Sequence, residues 1–71
     1  MFITLTELDY TPGRGPLGWV ETGVVVEVNP RLIESLTGHE GNTCVRMQSR
    51  STLHVKETVA EIKAMMAEEL G

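Results

Sequence analysis

Apolar and polar positions alternate along most of this chain, and a helical period replaces the alternation only at the end. Residues 2–8, FITLTEL, put Ile3 and Leu5 on one side of an extended chain and are rich in strand-favouring types, which predicts a strand. Residues 20–28 predict a second strand, with Val24, Val26 and Val28 on one face, Val25 and Glu27 on the other, and Gly23 marking a bulge or bend. In NPRLIESLTG, Asn29 is a good N-cap and Pro30 suits a first helical position. That predicts one helical turn over residues 30–32, running into a short strand at 33–37; the alternative is that LIESL is itself a short strand with Leu32, Glu34 and Leu36 on one side.

Residues 43–48 and 52–57 read as a hairpin. With Ser49, Arg50 and Ser51 as its loop, Met47 faces Leu53 and Val45 faces Val55, which collects the apolar residues on one face. The opposite face then carries Arg46 beside His54, Gln48 beside Thr52 and Cys44 beside Lys56. Residues 58–70 change period. Thr58 and Glu61 make a capping box, and Val59, Ile62, Met66 and Leu70 form an apolar stripe with Met65 beside it. The expected fold is a single α+β domain over residues 1–71: a small antiparallel sheet of four to five strands packed by one C-terminal amphipathic helix.

Size and charge narrow the function. A chain of 71 residues buries only about 60% of its unfolded surface, so self-association is an expected source of stability. Cys44 is the only cysteine, which excludes an internal disulfide and a multi-cysteine zinc site and fits a reducing, cytoplasmic setting. His39, Cys44 and His54 match no standard metal spacing, so neither a metal nor a cofactor is expected. Six Lys or Arg stand against ten Asp or Glu, a net charge of −4, which disfavours general nucleic-acid binding. The opening residues do not read as a signal peptide, and no apolar run approaches the roughly 20 residues needed to span a bilayer.

One stretch imitates a nucleotide motif. Gly13, Gly15 and Gly18 satisfy G-x-G-x-x-G, but Pro16 lies inside it and a valine-rich strand comes next, where a phosphate-binding helix would have to start. The glycines therefore read as turn-formers in a long hairpin loop over residues 9–18, well beyond the usual span of about 2–5 residues. Tyr10, Arg14, Leu17 and Trp19 are candidate protein-contact residues on that loop, and Met65 is a candidate contact between copies of the chain. The alternative reading of Tyr10 and Trp19 is that they fold back over the open end of the core. Arg46, Arg50, His54 and Lys56 on the outer sheet face are a candidate surface for an anion or nucleic acid. Cys44 with His54 lies on a flat face without an evident pocket or orienting acid, so enzyme activity and a small-molecule substrate are not expected.

The segments ITLTEL, VVVEVNPRLIESL, TCVRMQS and LHVKETVAEI together resemble the small flagellar and swarming-motility proteins of the FlbD/SwrD type. Similar short proteins occur in phages and their host bacteria. The resemblance covers most of the chain outside residues 9–23, where the family has a tight turn in place of the Gly/Pro loop. It implies a non-enzymatic cytoplasmic role exerted through protein contacts, and it carries over no catalytic residue. Three functions are expected candidates: a self-associating protein-interaction module, a nucleic-acid-contacting regulator, or a flagellar accessory protein.

Overall fold

The computed structural model describes residues 2–70, the side chains of Pro16 and Leu70 excepted. Strands form at Ile3–Tyr10 (β1), Trp19–Val28 (β2), Ile33–His39 (β3), Asn42–Met47 (β4) and Thr52–Val55 (β5), and a helix closes the chain at Val59–Leu70 (α1). The five strands make one antiparallel sheet in the order β2-β1-β5-β4-β3, the α+β architecture expected from the alternation. Asn29 Oδ1 accepts the Arg31 N–H at 3.0 Å, and this cap starts the 3-10 turn at Pro30–Leu32 that leads into β3.

Period-two alternation sorts the side chains. Ile3, Leu5, Val28, Val45 and Val55 turn to one side of the sheet, where Ile62 of α1 closes over them. Leu5, Val45, Val55 and Ile62 are fully buried. Val26, Ile33, Leu36, Met47, Leu53 and the helix methionines surround that cluster. Met65 is half-buried against that cluster. Leu70, the last position of the expected stripe, has its side chain outside the described residues.

The helix starts where the sequence places its cap. Thr58 Oγ1 accepts the Glu61 N–H at 3.1 Å, and Glu61 Oε1 accepts the Thr58 N–H at 2.8 Å. The residue just before, Glu57, does something the pattern did not announce. Its carboxylate accepts both the N–H and the hydroxyl of Thr6, each at 2.8 Å. Beside it, Lys56 N–H donates to Thr6 C=O at 3.0 Å, and Glu7 pairs with Val55. These contacts join β1 to β5, and so the first hairpin to the rest of the sheet.

Local irregularities decide the register. Thr6 pairs with Val25 and Leu8 with Glu21, so Glu7 alone stands opposite Thr22, Gly23 and Val24. This bulge has Gly23 at φ +84°, and Thr22 Oγ1 accepts the Val24 N–H at 3.1 Å. An even number of extra residues leaves the faces of β2 unchanged on either side. In β3 the extra residue is single: Ile33 pairs with Met47 but Ser35 with Arg46. An odd insertion switches faces, which brings both Ile33 and Leu36 to the core. The turn at Pro30–Leu32 and strand from Ile33 match the favoured expectation, and the alternative with Leu32, Glu34 and Leu36 sharing one side of a strand does not form. Leu32 lies in the 3-10 turn with 48% of its surface exposed, and Glu34 reaches Arg46 instead.

The β4–β5 hairpin also differs from expectation. Its loop is Gln48, Ser49 and Arg50, closed by Arg50 N–H to Met47 C=O and Met47 N–H to Ser51 C=O, both 2.9 Å. Arg50 takes the left-handed position, φ +75°, that this turn requires of its last residue. Val45 therefore pairs with Leu53 and Thr43 with Val55, two residues away from the expected register. A two-residue shift keeps every apolar side chain on its face and changes only the neighbours. Cys44 now stands beside His54, and Arg46 beside Thr52.

Two measurements check these assignments. Arg50→Gly should raise stability by about 0.5–1 kcal/mol in urea unfolding, because glycine takes positive φ without the steric cost an L side chain meets there. Glu57→Ala should lower it by about 1.5–3 kcal/mol, the range for hydrogen bonds to a charged group.

Candidate functional site

The face of the sheet turned away from α1 carries an aromatic cluster. Tyr10 and Trp19 are register partners at the loop end of the first hairpin, with ring centroids 5.3 Å apart and planes tilted by 60°. Trp19 continues inward over the imidazole of His54, centroid to centroid 4.6 Å at 30°. His54 Nδ1 lies 3.1 Å from Oδ1 of the buried Asn42. An amide oxygen only accepts, so Nδ1 carries the hydrogen. The chain of contacts Tyr10, Trp19, His54, Asn42 thus crosses from β2 to β4, and among the described residues no buried polar side-chain atom is left without a partner.

The loop before Trp19 is closed on itself. Thr11 N–H donates to Gly18 C=O at 2.6 Å, and Arg14 N–H to Thr11 C=O at 3.1 Å. The glycines that imitate a nucleotide motif serve this closure. Gly18, at φ +84°, lies so close to the Tyr10 ring that a Cβ would fall 2.7 Å from Cε1. Gly15 approaches Trp19 as closely, with a Cβ position 2.6 Å from its carbonyl oxygen. Beyond Gly15 the chain makes a 3-10 turn at Pro16–Gly18 and enters β2, where a phosphate would need a helix N-terminus.

Leu17 is the exception among these turn residues. It holds φ +57°, a left-handed conformation unusual for leucine, and keeps 55% of its surface exposed while one side rests near Gly41. Tyr10 is equally exposed at 55%, and Arg14 is also on the surface. Beside them opens a cleft of about 360 Å³, with Leu8, Trp19 and Val20 on its walls and Glu21 and Lys56 on its rim. Of the five expected contact residues, Trp19 lines this opening, Tyr10 stacks on Trp19, Leu17 rests near the lining residue Gly41, Arg14 lies exposed on the same loop, and Met65 packs on the other side of the sheet.

The expected cationic surface is differently disposed. Arg46 Nε lies 3.1 Å from Glu34, and Lys56 Nζ 3.0 Å from Glu21. His54 is half-buried under Trp19, and Arg50 stands apart at the hairpin turn. Pairing of two cations with carboxylates reduces the positive potential this face can offer a phosphate backbone. Among the described residues, no group of three or more His, Cys, Asp or Glu is placed to share a metal ion, and no helix is long and apolar enough to cross a membrane.

His54 was legible in the sequence as a member of the cationic face, and Asn42 only as a hairpin residue. No local signal points to their role beneath Trp19, because the stack depends on a three-strand register. Comparison with models of known protein families, with characterised proteins and with solved structures finds no match to this chain.

The Lys56–Glu21 pair has a defined pH signature. The hydrogen bond and charge of Glu21 hold the Lys56 ammonium pKa above the ordinary lysine value. A raised pKa means that the pair's stabilisation is fully present below the unfolded lysine pKa, about 10.4, and fades as pH rises through the folded value. Urea midpoints compared at neutral pH and above the lysine range should therefore converge in Lys56→Gln relative to the wild type. Because the ammonium is fully exposed, the difference should be small and should shrink further with added salt.

Proposed function

We propose that this chain is a small, non-enzymatic protein–protein interaction module that self-associates and receives a further protein on its aromatic loop face. Leu17 is the observation that carries the reading. A leucine at positive φ costs about 1–2 kcal/mol relative to ordinary backbone, and such strain is retained where surrounding structure imposes it. Here the strained residue returns little by burial, since over half its surface faces solvent, with one side near Gly41. Its side chain and Trp19 both approach Gly41, Tyr10 stacks on Trp19, and Arg14 lies on the same loop; Tyr, Trp and Arg are residue types that dominate interface energetics. A cleft of this size takes a few apolar side chains of another protein. The resemblance to FlbD/SwrD-type proteins supports the same class of role, action through protein contacts without catalysis.

The test uses two substitutions with opposite expected effects on the chain itself. Leu17→Gly should leave stability unchanged or raise it by up to about 1 kcal/mol, because it removes the backbone strain. Tyr10→Ala should leave the core intact. Both should reduce capture of the partner that cross-links to the wild-type loop in its native cell extract, by about 10-fold or more for a contact at the centre of the face. Equal capture by wild type and both variants, with the fold preserved, would overturn the assignment of this face.

A further inference from the structure

The outer edge of β2 has a structure suited to one particular companion. Thr6 of β1 directs its N–H to Glu57 and its C=O to Lys56, both toward β5. Alternation along an antiparallel strand then turns the backbone groups of Leu5 and Ile3 toward β2. Their register partners Val26 and Val28 answer them. The residues between, Val25 and Glu27, consequently point N–H and C=O away from the sheet. As the first strand in the sheet order, β2 has no neighbouring strand on that side among the described residues.

Side chains along the same stretch are apolar on the helix face, and on the outer face Val25 stands beside Glu27. Val25 is 62% exposed on the outer face, and Val24 is 49% exposed on the helix face, in line with the half-buried Val26 and buried Val28. The segment open to pairing is bounded at both ends. Before Val24 stands the Gly23 bulge, where the Val24 N–H is already occupied by Thr22 Oγ1. After Val28 the chain turns away at Asn29 and Pro30.

We infer that a second copy of this chain pairs antiparallel along Val24–Val28 of β2, with the two-fold axis at Val26. This names the surface for the self-association in the proposed function and rests on that part of it. The register is set by several constraints that agree. A two-fold antiparallel pair places identical residues at its centre, and Val26 is the midpoint of the segment between the bulge and the turn. Centred there, Val25 of each copy exchanges backbone hydrogen bonds with Glu27 of the other, and these are the residues whose groups point outward. On the helix face Val26 meets Val26, and Val24 meets Val28, which continues the apolar row of the core across the seam. On the outer face the Glu27 stem lies over Val25.

Neighbouring registers fail on charge or geometry. Centring on Glu27 sets two carboxylates opposite each other, and centring on Val24 opposes Glu27 to Glu21; both place like charges in register. Centring on Val25 opposes Glu27 to Gly23 in the bulge. A second copy is thus matched to this edge by symmetry, by the open backbone groups and by the spacing of its own acids.

Sedimentation at high-micromolar concentration tests the inference. The wild type should run at twice its chain mass of 7.8 kDa. Val25→Lys, a charge placed on an exposed edge position, should return the mass to that of one chain while far-ultraviolet circular dichroism keeps the α+β signature. Val25→Thr, which preserves branching and the open backbone groups, should remain a dimer. Leu17→Gly should also remain a dimer. A wild-type monomer overturns both this inference and the self-association it rests on. A dimer that survives Val25→Lys but is lost in Leu17→Gly overturns only the β2 register, and places the second copy on the loop face.

Discussion

The joint between β1 and β5 is the constraint on which the rest of this structure depends. A hairpin of β1 and β2 must be held to a meander of β3, β4 and β5, and the ladder between them has one paired position, Glu7 with Val55. Glu57 compensates by binding Thr6 through both carboxylate oxygens. Because Glu57 immediately precedes the helix cap, the same contact that closes the sheet also sets where α1 begins. The apolar core lies on one side of this joint, with Leu5 and Val55 from its two strands fully buried. On the other side the Trp19–His54 stack bridges the same two hairpins. The candidate site is therefore a consequence of the joint, since its walls belong to β1 and β2 and its rim includes Lys56.

Much of the fold was legible because burial imposes a period. Alternation located all five strands, and the capping box with its apolar stripe located the helix. What alternation cannot supply is an absolute register, because any even shift keeps the apolar residues inside. The β4–β5 hairpin shows this plainly. Its faces came out as expected while its register moved by two, since the preference of the backbone for a turn ending with Arg50 in the left-handed region settled the pairing. The β3 bulge shows the converse case. One inserted residue let Ile33 and Leu36 both reach the core, a result that strict alternation forbids.

The site was legible as composition and illegible as geometry. Tyr10, Arg14, Leu17 and Trp19 stood out because such residues are unusual in a turn-forming loop. Their arrangement depends on distances between strands far apart in sequence, and on Asn42, which looked like an ordinary turn residue. The fold-back expected over the core takes place on the opposite face of the sheet. Trp19 folds back onto His54, while Tyr10 keeps more than half its surface open to solvent. Folding back is what holds the exposed members in place.

The closure between Thr11 and Gly18 has a practical meaning as well. Because the loop completes its own hydrogen bonds at its base, the sheet does not depend on the length of the segment between them. A side chain at Gly13 would meet nothing nearby, so the chain there faces open space. Foreign peptide inserted after Gly13 would be displayed from a fixed base on a scaffold without disulfides, and chain-closure entropy charges little for each added residue.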